Sequence, residues 1–111
     1  MKEKKTLRQH RLLFICLGNI CRSPAAEGVM KTLASAAGRS ADFHIDSAGI
    51  GDWHVGQLPD IRMRRRGALR GYNFDSHARQ IRRSDFKDFD LLLVMDASNF
   101  TTVGGMATSP E

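Results

Sequence analysis

An α/β domain built on a parallel sheet is the fold class that this sequence predicts, and three observations carry it. Short apolar runs alternate with helical patterns in the order strand, helix, strand, helix, strand. The last run, residues 91–95 (LLLVM), is continuous rather than alternating, as in a strand buried on both faces of a parallel sheet. The first, Leu12-Leu13-Phe14-Ile15, leads through a glycine-containing loop into a helix start. Such a loop occupies the ligand position of open α/β sheets, outside the carboxyl ends of the strands.

Each element has its own signal. Residues 12–15 form the first buried strand. Ser23-Pro24 marks a helix start, with Ser at the cap and Pro at the first helical position. Ala26, Val29, Met30, Leu33 and Ala37 recur at helical spacing over residues 25–37, and Gly38 supplies the stop. Residues 43–47 read as a short second strand. Residues 59–69 read as a second helix ended by Gly71, and residues 81–89 hold a helical turn before the third strand. Right-handed crossovers bring the strand ends to one edge. No repeat, low-complexity segment or linker divides the chain.

At 111 residues the chain supports one compact domain. Its 41% hydrophobic and 26% charged residues are those of a soluble globular protein. No apolar run approaches a membrane span, and no secretory segment follows the basic start, so cytoplasmic residence is expected. The net charge of +5 comes largely from the amino terminus and from Arg62, Arg64, Arg65, Arg66 and Arg70. Such a run is ordinarily a solvated helix face; attraction of acidic, phosphorylated partners is a further reading, and nothing selects a nucleic-acid fold. Two cysteines within one loop make no disulfide framework, and no Cys/His pairs have metal-ligand spacing.

The chemistry is concentrated in Cys16-Leu17-Gly18-Asn19-Ile20-Cys21-Arg22-Ser23. A lone cysteine at a strand end is ordinarily a small core hydrophobe. Here Gly18 allows tight curvature, Asn19 tolerates a left-handed backbone, and Ser23 can cap the helix or donate to the sulfur. Unpaired amides and the positive end of the helix dipole face a bound anion, and the same field lowers a thiol pKa. Arg22 adds a planar, permanently charged fork suited to two phosphate oxygens.

Residues 12–24, LLFICLGNICRSP, resemble the phosphate-binding loop of the low-molecular-weight protein tyrosine phosphatases. The resemblance continues through Asp46-Ser47-Ala48-Gly49, Trp53-His54-Val55-Gly56, Pro59-Asp60, Ala78-Arg79-Gln80, Asp85-Phe86 and Met95-Asp96-Ala97-Ser98-Asn99. It implies the three-layer fold of that family, a parallel sheet flanked by helices, with a fourth strand arriving after the matched region. It also implies a two-step hydrolysis of phosphotyrosine on proteins. Cys16 is the nucleophile, Arg22 and the amides of the phosphate-binding loop (Leu17, Gly18, Asn19, Ile20, Cys21, Ser23) hold the phosphate, Ser23 donates to the thiolate, and Asn19 and Ser47 brace the loop. Trp53 stands on the pocket wall against the aryl group. The resemblance calls for no metal or other cofactor, and supports a reversible Cys16–Cys21 disulfide that would shield the nucleophile. Asp96 and Asn99 read as structural. Ser76 stands where family members often carry a loop-supporting His, and the displaced His77 is assigned no role.

The departure is at the end. Family members protonate the leaving group with an Asp of an Asp-Pro motif, and this sequence has no such pair. Residues 101–111 show no strand pattern and no amphipathic helix. The expectation is a carboxy-terminally truncated member lacking the last strand, the last helix and the general acid. Its organisation is a basic extension over residues 1–10, the matched domain over 11–100 and an atypical tail over 101–111. Its activity is impaired accordingly. A phosphate-binding pseudoenzyme or a non-functional fragment is the alternative. Arsenate reduction needs resolving cysteines downstream, and none follows Cys21. Oligomeric state is not legible.

Overall fold

The computed structural model describes residues 9–108. Most of the basic extension, residues 1–8, and the last residues of the tail, 109–111, lie outside them. The element order is β1 (His10–Cys16), α1 (Arg22–Ala36), a 3₁₀ turn (Ser40–Asp42), β2 (Phe43–Gly49), α2 (Ile61–Leu69), α3 (Asp85–Asp88), β3 (Leu91–Val94) and α4 (Ala97–Thr108).

The α/β class and the parallel sheet flanked by helices are as predicted. The described residues form a three-stranded sheet in the order β2-β1-β3, with both pairings parallel. β1 is central, and its inward residues Leu13 and Ile15 are fully buried beside Ala48, Ile81, Phe89 and Val103. The register sets Cys16 opposite Gly49, and Gly49 in turn bridges to Gln80. Three segments therefore end at one level, at the carboxyl edge of the sheet.

Several local expectations need correction. Ser23 does not cap α1: the helix starts at Arg22, and the Ser23 side chain turns inward, fully buried. The buried face of α1 is Ser23, Pro24, Glu27, Gly28 and Ala34, while Leu33 is exposed. Small residues let the helix approach the sheet closely, and a buried polar network takes the place of an apolar stripe. β3 is not buried on both faces. It lies at the side of the described sheet, with Leu91 exposed and the rest half-buried.

α4 occupies a stretch expected to hold no helix. Asp96 accepts from the Asn99 amide at 2.8 Å, and the Thr101 and Thr102 hydroxyls bond back to the Ala97 and Ser98 carbonyls. Val103 is buried in the core. Packing thus overrides the weak helix propensity of a Thr- and Gly-rich segment.

Gly38 and Gly71, at φ +71° and +85°, close α1 and α2 as predicted. In each case the next two amides after the cap return to carbonyls of the last turn. Two other glycines act through size. The buried Phe74 ring lies between α1 and α2, and a Cβ would come within 2.4 Å of it at Gly28 and 2.3 Å at Gly67. Gly67→Ala is expected to destabilise by about 1–3 kcal/mol through this clash. Gly104→Ala, where a Cβ meets nothing within 4 Å, is expected to stabilise by about 0.5–1 kcal/mol. Urea midpoints of the two variants measure this contrast, and equal shifts would contradict it.

Candidate active site

Cys16 ends β1 and is buried beneath the loop that leads into α1. Its sulfur lies 3.0 Å from the Ser23 hydroxyl and accepts from the Asn19 amide at 3.3 Å. The Ser23 hydroxyl also donates to Asn19 Oδ1 at 2.7 Å. It has one proton for two acceptors. With a thiol, the S–H donates to Ser23 and Ser23 to Asn19; with a thiolate, the Ser23 proton turns to sulfur.

Asn19 is left-handed at φ 58° and almost fully buried. Its Nδ2 makes a long 3.5 Å contact to the Ser47 carbonyl. Ser47 Oγ donates to Glu27 Oε1, and Lys31 Nζ donates to Glu27 Oε2 at 2.6 Å. Loop carbonyls are taken from outside: Cys16 by Ile50 N, Leu17 by Gly51 N, Ile20 by Asp60 N and Cys21 by Ala25 N. Among the described residues, the amides of Gly18, Ile20 and Arg22 are left without a protein acceptor. The loop therefore holds its shape with donors to spare, as an anion site requires.

Burial pushes the Cys16 thiol up, but the Ser23 hydroxyl and the amides of Ser23, Asn19 and Cys21 outweigh it and hold the pKa below that of an ordinary thiol. A lowered pKa moves the thiolate population toward acid. In a Cys21→Ser background, the rate of Cys16 alkylation by iodoacetamide is expected to rise with a midpoint below that of a free thiol. Ser23→Ala moves that midpoint upward. A parent midpoint at or above the free-thiol value would contradict the reading.

A pocket of about 240 Å³ opens over the sulfur, lined by Cys16, Leu17, Gly18, Ile20, Cys21 and Arg22 of the loop, with Trp53 and His54 opposite. The loop residues singled out in the sequence are thus brought together with Trp53. Asn19, Ser23 and Ser47 lie behind the loop. Arg22 stands on the rim, its NH1 3.3 Å from Asp96 Oδ2. The Asn99 amide, then Arg22, holds the Asp96 carboxyl below its usual range. Trp53 is 61% exposed, and its indole lies across Gly51, where a Cβ would fall 1.0 Å from a ring carbon. Both cysteines are free, Cys16 buried and Cys21 exposed. His77 is exposed.

Two participants were not singled out in the sequence. Glu27 lies four residues after Ser23, one helical turn along the same face, and a lone acid on an otherwise uncharged inward face was its only signal. His54 stood in a matched motif without a role; its Nδ1 lies 3.0 Å from Gln57 Oε1, and the ring sits over Gly18.

The profile of the family described as low molecular weight phosphotyrosine protein phosphatase matches residues 11–110. The chain belongs to that family. It is 43% identical over 97 residues to the low molecular weight protein-tyrosine-phosphatase YfkJ of Bacillus subtilis, covering 86% of this chain and 62% of that one. It is 40% identical over 103 residues to low molecular weight phosphotyrosine protein phosphatase 2 of Drosophila melanogaster, covering 93% and 63%. The crystal structure of an Entamoeba histolytica protein tyrosine phosphatase with Hepes in its active site superposes with a TM-score of 0.86 at 46% identity, covering 93% of this chain and 65% of that one. This phosphatase-family chain spans about three-fifths of the length of the curated relatives it matches.

Proposed function

We propose that the chain hydrolyses phosphotyrosine on proteins through a phosphocysteine intermediate. The observation that carries the reading is the buried, donor-surrounded Cys16 sulfur at the floor of a pocket rimmed by Arg22 and walled by Trp53. The Cys16 thiolate attacks phosphorus in line, forming an S–P bond as the P–O bond to the phenol breaks. Arg22 and the free loop amides hold the equatorial oxygens, so positioning and charge stabilisation do most of the work. Water then cleaves the S–P bond, releasing phosphate and returning the thiolate. Trp53 stacks on the aryl group, which favours phosphotyrosine over alkyl phosphates.

The sequence has no Asp-Pro pair, and none of the residues lining the pocket is a carboxylate. For these 111 residues, turnover of esters with poor leaving groups is expected to be slower by about two to four orders of magnitude than with a general acid, and activated aryl phosphates suffer less. No described helix is long and apolar enough to cross a membrane; cytoplasmic phosphoproteins are the proposed substrates.

The test is rapid acid quench during turnover of an activated aryl phosphate, with the modified peptide mapped by mass spectrometry. Phosphate on the Cys16 peptide supports the reading. Turnover with no such adduct, or no turnover by a folded sample, would overturn it. In the latter case, retained phosphate binding would identify a pseudoenzyme.

A further inference from the structure

A second concavity, of about 600 Å³, lies between α1 and α2 and shares no lining residue with the pocket over Cys16. Val29 and Met63 give it apolar surface, with Tyr72 stacked at 5.8 Å between ring centroids on Phe74, which is itself only 6% exposed. Arg62, Arg66 and Arg70 also line it. They recur every four residues, so they follow one side of α2 at intervals of about 6 Å. Arg62 has a loose 3.5 Å contact with Asp60, while Arg66 and Arg70 have no carboxylate partner among the described residues.

We infer that this groove docks an acidic polypeptide segment in which acidic and apolar side chains alternate. The arginine interval matches the repeat of alternate side chains in an extended chain, about 6.7 Å. Carboxylates at every second position would then meet successive arginines, while the intervening apolar side chains, on the opposite face of the extended chain, would turn toward Val29 on the α1 side of the groove. The groove thus offers a row of charge in the period of its occupant, with apolar surface beside it. Nucleic acid supplies the charge as well, but the Val29 and Met63 side chains of the lining suit the apolar residues of a peptide rather than stacked bases. The groove also has a direction. Asp60, which caps α2, donates its amide to the Ile20 carbonyl of the phosphate loop at 2.7 Å, so the arginine row starts beside that loop. Recruitment of a phosphorylated substrate by its acidic flank rests on the phosphatase reading; binding of the segment does not.

The experiment is fluorescence anisotropy of the 111-residue chain with a labelled, unphosphorylated peptide alternating Glu with Leu and Phe, at low salt. Saturable binding is expected. It should weaken about tenfold or more in Arg66→Glu/Arg70→Glu, and also in Met63→Gln. It should be unchanged by Cys16→Ser. Failure of phosphatase turnover would leave these results intact. Circular dichroism checks the fold of the variants; should the charge reversal unfold the chain, peptides with Lys for Glu or Ser for Leu and Phe test the same contacts on the parent, and both should bind at least about tenfold more weakly. The inference is overturned by absence of saturable binding to a folded chain, by equal affinity of folded Arg66→Glu/Arg70→Glu, or by equal binding of the Ser-substituted peptide. It is also overturned if single-stranded oligonucleotide or anionic lipid vesicles outcompete the peptide at equal charge concentration.

Discussion

Cys16→Ser is expected to lower turnover of an activated aryl phosphate by about four orders of magnitude or more while leaving the fold in place. The hydroxyl is held as a neutral, poor nucleophile at any pH the protein survives, whereas the thiol is held toward its ionised form by Ser23 and the loop amides. Oxygen is smaller than sulfur, so the buried position accepts it. The same contacts to Ser23 and Asn19 remain within reach. Arg22→Lys should fall between the parent and Cys16→Ser, because lysine keeps the charge and loses the two-pronged geometry. Steady-state kinetics with circular dichroism decide it. Residual turnover within tenfold of the parent would remove Cys16 from the nucleophile's role.

The largest loss of stability is expected from Arg79→Leu. Asp85 is fully buried, and Arg79 meets its two oxygens through NH1 and NH2, each at 3.1 Å. The same guanidinium reaches Asp46 of β2 at 3.0–3.1 Å. Burial works against its charge, but Asp85 and Asp46 outweigh that and raise its pKa further. Without Arg79, Asp85 keeps the Arg82 amide at 2.9 Å and a distant Arg82 guanidinium at 4.0 Å. A buried carboxylate so stripped costs about 3–5 kcal/mol, a large share of the roughly 5–15 kcal/mol that holds a domain folded. Adding Asp85→Leu should recover part of the loss, because the stranded charge is then gone. Urea unfolding of the single and double variants measures both; a loss below about 1 kcal/mol for Arg79→Leu would show the triad to be unimportant.

How much was readable before the structure depends on how local the cause is. The phosphate loop was legible because its residue types act on their own backbone: Gly18, the left-handed Asn19 and the two ends Cys16 and Arg22 lie within eight residues. Both helix-ending glycines were legible for the same reason. Of the two readings of Ser23, the contact to sulfur holds and the helix cap does not, because its hydroxyl is drawn inward by Cys16 and Asn19 once the loop has closed. Glu27 and Arg79 were given no role because each takes its meaning from distant partners, with 20 residues separating Glu27 from Ser47 and 33 separating Arg79 from Asp46. α4 was missed because burial of Val103, not propensity, holds its Thr- and Gly-rich turns.

The two walls of the pocket over Cys16 are fastened by different means. The loop from Cys16 to Ser23 hangs on named side chains, Ser23, Asn19, Ser47 and Glu27, as well as on main-chain bonds, and few substitutions there would be neutral. The opposite wall, which carries Trp53 and His54, is fastened by main-chain bonds: Gly51 N to Leu17 O at 2.9 Å, Gly56 N to Ala78 O at 2.8 Å and Ala78 N to Gln57 O at 2.7 Å. Main-chain bonds are indifferent to what side chains they carry, save at Gly51, which must stay small beneath the indole, and at Gly56, whose φ of +88° favours glycine. Side chains of the Trp53 wall can therefore be exchanged with less disturbance than those behind the loop. Under the proposed function, preference can drift there while the chemistry stays fixed.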